Sequence, residues 1–167
     1  VVHSMKKRVL SLLVVNSSGV LSRVSGMFSR RGYNIDSLTV GVTENPKYSR
    51  MTVVVSGDDR TLDQIEKQLY KLEDVINVTE LKDGQSVCRE LVLVKVKADK
   101  TEKQQIIAVA DVFRAKIVDV AVDSLMIELT GNINKVEAFL GLLDGFEICS
   151  IVRTGLTGLV RGNYSDK

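Results

Sequence analysis

Apolar and polar residues along this chain follow a pattern that changes period several times and then repeats. Val9 to Val15 is an apolar run broken only by Ser11, of strand length and rich in Val and Leu. Asn16-Ser17-Ser18-Gly19 marks a turn, after which Val20, Leu21, Val24, Met27 and Phe28 recur at helical spacing. Gly32 sits where glycine ends a helix. From Ile35 the period falls to two, with Leu38, Val40 and Val42 on one face and Ser37, Thr39 and Gly41 on the other. Glu44-Asn45-Pro46-Lys47 reads as a turn into a β-branched strand, Met51 to Ser56. Asp58 or Asp59 can then cap a helix that buries Leu62, Ile65, Leu69 and Leu72, and Val75 to Leu81 closes the unit as a fourth strand.

The same order starts again at Leu91 to Val96. Thr101 to Gln104 reads as a capping box, and the helix behind it buries Ile106, Val109, Ala110 and Phe113. Ile117 to Val122 and Leu125 to Thr130 form a hairpin, and Asn134 to Glu137 reads as a second capping box before Val136, Phe139, Leu140 and Leu143. Gly145 stops that helix and Phe146 to Val152 is the last strand. The fold class is therefore α+β, with two tandem ferredoxin-like βαββαβ units, each an antiparallel four-stranded sheet with helices on one face. Residues 1–7 are expected as a disordered N-terminal segment or expression remnant, and 8–82 as the first unit. Residues 83–88 are expected as a linker, and 89–167 as the second unit with a glycine-rich tail. Leu10, Leu12, Val53 and Val55 read as a sign that both sheet faces are apolar, which predicts a homodimer.

Composition narrows the function. In 167 residues, 23 Lys+Arg balance 21 Asp+Glu to within a net charge of +2, so no nucleic-acid or anionic-membrane partner is advertised. The single histidine, His3, leaves no His-based triad and few metal sites. Cys88 and Cys149 lack CxxC spacing, and Cys149 is expected to be buried in the last strand as a small hydrophobe. No apolar run is long enough for a membrane helix, and a reducing cytoplasm is the expected location. The strands lack the aromatics that an RNA-binding sheet stacks on bases. No catalytic residue and no metal ligand is assigned.

One stretch remains. At Asn16-Ser17-Ser18-Gly19-Val20-Leu21 a strand turns directly into a helix, whose unpaired N–H groups suit a carboxylate. Gly19 allows close approach to the backbone, and Asn16 can both donate to a carboxylate and accept from an ammonium. The competing reading is a plain turn in which Ser18 caps the helix and Asn16 braces the loop.

The turn, followed by Arg30-Arg31-Gly32-Tyr33-Asn34-Ile35-Asp36-Ser37-Leu38, resembles the opening of the acetolactate synthase (acetohydroxyacid synthase) small, regulatory subunit family. Ser49-Arg50-Met51-Thr52, Gly57-Asp58, Gln64 to Leu69, Arg89-Glu90-Leu91, Arg153-Thr154-Gly155 and Arg161-Gly162 extend the similarity over nearly the whole chain. The resemblance implies an N-terminal ACT domain, a C-terminal ferredoxin-like domain that pairs in the dimer, and a branched-chain amino acid, usually valine, bound where two ACT sheets meet. It assigns Asn16, Gly19, Val20 and Leu21 to the turn of that site, and Asn34 and Ile35 to its completion from a second chain. Many ACT domains carry proline where Ser18 stands, and Ser18 Oγ could compete with the ligand for the same N–H groups. The implied partner is the catalytic large subunit; thiamine diphosphate, Mg²⁺ and FAD are expected there and no cofactor in this chain. A stand-alone ACT sensor acting on another enzyme or regulator is the alternative.

Overall fold

The computed structural model describes residues 5–164, which fall into two compact units. One runs to Cys88 and resumes at Leu156; the other is Arg89–Gly155. The first holds β1 (Lys6–Val15), α1 (Val20–Arg31), β2 (Asn34–Val42), β3 (Tyr48–Gly57), α2 (Asp59–Tyr70) and β4 (Val75–Glu80). Then β5 (Ser86–Lys97) carries the chain into the second unit, with α3 (Lys100–Val112), β6 (Lys116–Val120), β7 (Ser124–Gly131), α4 (Ile133–Leu142) and β8 (Glu147–Arg153). Last comes β9 (Thr157–Val160), back in the first unit. Strand orders β2-β3-β1-β4 and β6-β7-β5-β8 with antiparallel neighbours give the ferredoxin-like arrangement twice.

In the first unit Leu10 stands opposite Val53 and Leu12 opposite Met51, all fully buried beneath the apolar stripes of α1 and α2. Val24 and Phe28 come from α1, and Leu62, Ile65 and Leu69 from α2. Gly32, at φ +66°, closes α1 in the left-handed region, and Asp58 caps α2 by accepting from the Thr61 N–H at 2.7 Å. The second unit repeats the plan, with Val92, Val94 and Val96 of β5 and Leu125, Ile127 and Leu129 of β7 under Ile106 and Phe139.

An arginine in each unit ties the sheet to the second helix. Arg8 on β1 reaches Asp63 and Glu66 of α2 and Glu80 of β4 at 3.0, 3.3 and 3.6 Å. Arg153 on β8 grips the buried Glu90 through Nε and Nη2 at 2.6 and 3.1 Å, and Glu137 of α4 at 3.1 Å.

Several expectations need correction. Lys6 and Lys7, expected in the segment 1–7, belong to β1, and residues 1–4 of that segment lie outside those described. The strand β5 opens at Ser86, inside the expected linker, and the tail returns as β9 to the first unit instead of staying with the second. Leu10, Leu12, Val53 and Val55 share the helix-covered face, because the period-two pleat sends Ser11, Thr52 and Val54 to the other. Neither capping box falls where the spacing placed it. The first is Asp99 with Glu102, and α4 is capped by Asn132 accepting from the Lys135 N–H at 2.8 Å. Both helices start two residues earlier than expected, at Asp99 and Asn132, whose side chains accept from the N–H groups of Glu102 and Lys135. Cys149 is exposed, at the point in β8 where the register with β5 shifts between Ile148 and Ser150.

Candidate functional site

The turn between β1 and α1 is built by main-chain bonds on both sides. Val15 N–H donates to Asp74 O at 2.9 Å, Asn16 N–H to Lys47 O at 2.8 Å, and Ser17 N–H to Val15 O at 3.0 Å. Asn16 Nδ2 donates to Pro46 O at 2.9 Å, which fastens the turn to the β2–β3 connection. Among the described residues Asn16 Oδ1 has no donor. Asn16 therefore braces the loop with its amide nitrogen and leaves its carbonyl oxygen for a cation.

Ser18 does not cap the helix. The N-cap is Gly19, at φ +86°, and no side chain accepts from the first N–H groups of α1. A residue with a Cβ is strained at that φ. A Cβ there would also stand 2.8 Å from Arg23 Nη1. The helix start is thus left without an internal acceptor, which makes it the place on this unit most able to take an anion.

Arg23 was not anticipated from the sequence. It sits one turn into α1, so its guanidinium folds back over Gly19 while Nε donates to Asp74 Oδ2. That hydrogen bond, foremost, holds the guanidinium pKa above its ordinary value. The available signal was its i+4 spacing from Gly19. Beside it, Val20 is buried in the core, so only its backbone can meet a ligand, whereas Leu21 is half exposed.

The structure brings Asn16, Gly19, Val20 and Leu21 together and keeps Asn34 and Ile35 away. Val15 pairs with Tyr48, whereas Asn34 pairs with Ser56. Ser56 is eight residues along β3 from Tyr48, about 27 Å of strand. Within a single chain these six residues are not one site.

The topologically matching turn of the second unit is different. There Asp99 accepts from the Glu102 N–H at 2.8 Å and Glu102 Oε1 accepts from the Asp99 N–H at 3.2 Å. A depression of about 430 Å³ beside it is lined by Asp99, Glu102, Asp123 and Glu147 together with Lys97 and Lys100. Its carboxylates disfavour a ligand carboxylate. Among the described residues no group of His, Cys, Asp and Glu is placed to hold a metal, and no helix is long and apolar enough to cross a membrane.

Fold and turn together define a regulatory module of the ACT type: a ferredoxin-like sheet whose first strand runs into a glycine-opened helix. The comparisons give the same class and refine it. Residues 10–77 match the model of the AHAS small subunit-like ACT domain, and residues 89–162 that of the small subunit of acetolactate synthase. The chain is 50% identical over 159 residues, 95% of each chain, to the acetolactate synthase small subunit of Mycobacterium bovis. It is 46% identical over 158 residues to the isozyme 3 small subunit of Salmonella typhimurium, covering 94% of this chain and 97% of that one. The crystal structure of the acetolactate synthase small subunit from Thermotoga maritima superposes with a TM-score of 0.85 at 43% identity, over 95% of this chain and 99% of that one. The chain belongs to the acetolactate synthase small subunit family, the regulatory subunits of that enzyme.

Proposed function

We propose that this chain, without catalysis of its own, activates the thiamine-diphosphate-dependent catalytic subunit of acetolactate synthase and confers feedback inhibition by valine held between two ACT domains. The observation that carries the reading is the uncapped helix start at Gly19, paired with a β2 edge whose remaining site residues lie at the opposite end of the sheet. Because β2 is an edge strand, two copies can pair antiparallel along it. Such a two-fold carries Asn34 and Ile35 of the second copy toward the Val42 end of the first, the end at which its turn lies. The α1 N–H groups then receive the valine carboxylate, Asn16 Oδ1 accepts from the ammonium, and exposed Leu21 offers apolar surface to the branched side chain.

Inhibition follows by linkage. Valine binds one dimer arrangement better than another, and the catalytic subunit reads the difference. A coupling of about 1–3 kcal/mol suffices for strong feedback. Thiamine diphosphate, Mg²⁺ and FAD belong in this reading to the catalytic chain, and the working assembly is a cytoplasmic homodimer joined to that chain.

The test is a calorimetric titration of the homogeneous protein with L-valine, with D-valine and L-lysine as controls, followed by acetolactate formation in the reconstituted enzyme. Saturable binding of L-valine alone is expected, and Asn16→Ala is expected to lose valine inhibition while keeping activation. An Asn16→Ala enzyme as valine-sensitive as the parent overturns the site; a catalytic chain equally active without this one overturns the regulatory role.

A further inference from the structure

The tail that follows the second unit comes back to the first as a closely fitted strand. Gly155, at φ +86°, redirects the chain, and Leu156 is buried with only 7% of its surface exposed. From there β9 pairs with β5, and Arg161 N–H donates to Gln85 O at 2.9 Å. The fit leaves no room at Gly158. A Cβ there would meet Cys88 Sγ at 2.6 Å, the Val87 carbonyl oxygen at 2.8 Å and Leu81 Cδ1 at 3.0 Å. Since one of those neighbours is backbone, no rotamer change relieves the overlap.

This strand lies against β3, over the sheet face that the helices do not cover. Across that face runs a row of small polar residues in register: Thr39 opposite Thr52, Thr52 opposite Ser11, and Ser11 opposite Thr79. Thr52 and Ser11 are buried. Thr39, on the edge strand β2, donates through Oγ1 to the carbonyl of Leu156 at 3.4 Å. The strand that carries Asn34 and Ile35 is therefore fastened along one edge to β3 and, through the Thr39 hydroxyl, across the sheet face to the tail.

We infer that the segment Leu156–Val160 is a strap that sets the conformation of β2, and through β2 the affinity of the effector site. The second half rests on the valine reading above. Effector binding and tail docking then form one linked equilibrium: what loosens the strap weakens the effector, and the effector tightens the strap. Thr39, Leu156 and Gly158 act as positioning residues that touch no ligand.

Full-length Gly158→Val and Thr39→Val proteins test this by hydrogen exchange and by titration with L-valine. The first variant forces the strap off, and the second removes one hydroxyl while keeping side-chain volume. Exchange over 35–42 is expected to quicken about tenfold in both while exchange in α2 stays unchanged. Valine affinity is expected to fall about tenfold, with Thr39→Ser restoring both readouts. Unchanged exchange over 35–42 in both variants overturns the strap, whether or not valine binds. Quickened exchange with unchanged affinity overturns the link to the effector site. A parent protein that takes up no valine defeats the functional reading, and the exchange comparison still decides the strap.

Discussion

The two units of this chain place a strand-to-helix turn at the same point of the same topology, and they end it in opposite ways. At α3 the helix start is occupied from within, because Asp99 and Glu102 satisfy each other's backbone N–H groups. At α1 the N-cap is a glycine in the left-handed region, no side chain accepts from the helix, and Arg23 folds over the opening. A capping box stabilises a helix and fills the only anion-favouring place on it. Leaving that place unfilled costs the first unit local stability and leaves a position that a ligand carboxylate can take. The duplicated architecture thus leaves one turn open at its helix start and closes the other on itself.

The comparison breaks most sharply at Gly19. In Gly19→Asp the new side chain sits at a strained φ and against Arg23 Nη1. Its carboxylate would occupy the helix start and pair with Arg23, giving α1 the self-occupied character of α3. Complete loss of L-valine binding and of valine inhibition is expected, with acetolactate synthase activation retained. Calorimetry and the reconstituted assay check the two halves separately. A variant that still binds valine shows that the effector does not use this turn.

Much of the architecture was legible because the hydrophobic period states it directly. Val20, Val24, Met27 and Phe28 could only form one helical stripe, and Gly32 could only end it. What escaped depended on distance in sequence. Nothing in Leu156 to Val160 shows a period, because β9 is held by a glycine fitted under Cys88 and by one threonine far away on β2. Cap positions slipped by two residues because Thr101 with Gln104 and Asn134 with Glu137 have capping-box spacing, while Asp99 and Asn132 do the capping. At the candidate site, Gly19 and Asn16 were readable from turn chemistry. The role of Arg23 was not, since it depends on Asp74 bringing a second partner from the end of α2's following turn.

Removing the occupied cap sharpens the contrast from the other side. In Asp99→Ala the α3 N–H groups lose their acceptor and Glu102 loses its reciprocal partner. A destabilisation of about 1 kcal/mol is expected, the ordinary cost of deleting such a cap. Thermal unfolding measures it. Valine affinity should not change, because this turn holds no effector in the present reading. A valine response altered along with stability would show that the two turns are not divided as described.

The smallest effect comes from the arginine clusters, where the units again differ. Glu90 in the second is nearly sealed from water under Arg153, while Glu66 in the first shares Arg8 with Asp63 and Glu80. Burial, foremost, pushes the Glu66 carboxyl above the usual carboxylate range, with Glu80 and Asp63 adding to the rise and Arg8 and Lys82 opposing it. A raised carboxyl pKa means the folded protein binds its proton more tightly than the unfolded chain does. The stability this contributes is present below the ordinary glutamate value, about 4.3, and is lost as pH rises through the raised one. Glu66→Gln removes the titration. Its melting temperature relative to the parent should therefore rise, by a degree or two at most, as pH climbs from just below the ordinary value to above the raised one. A difference that is flat with pH would mean that Arg8 offsets burial at this position, and one that runs the other way that Arg8 outweighs it.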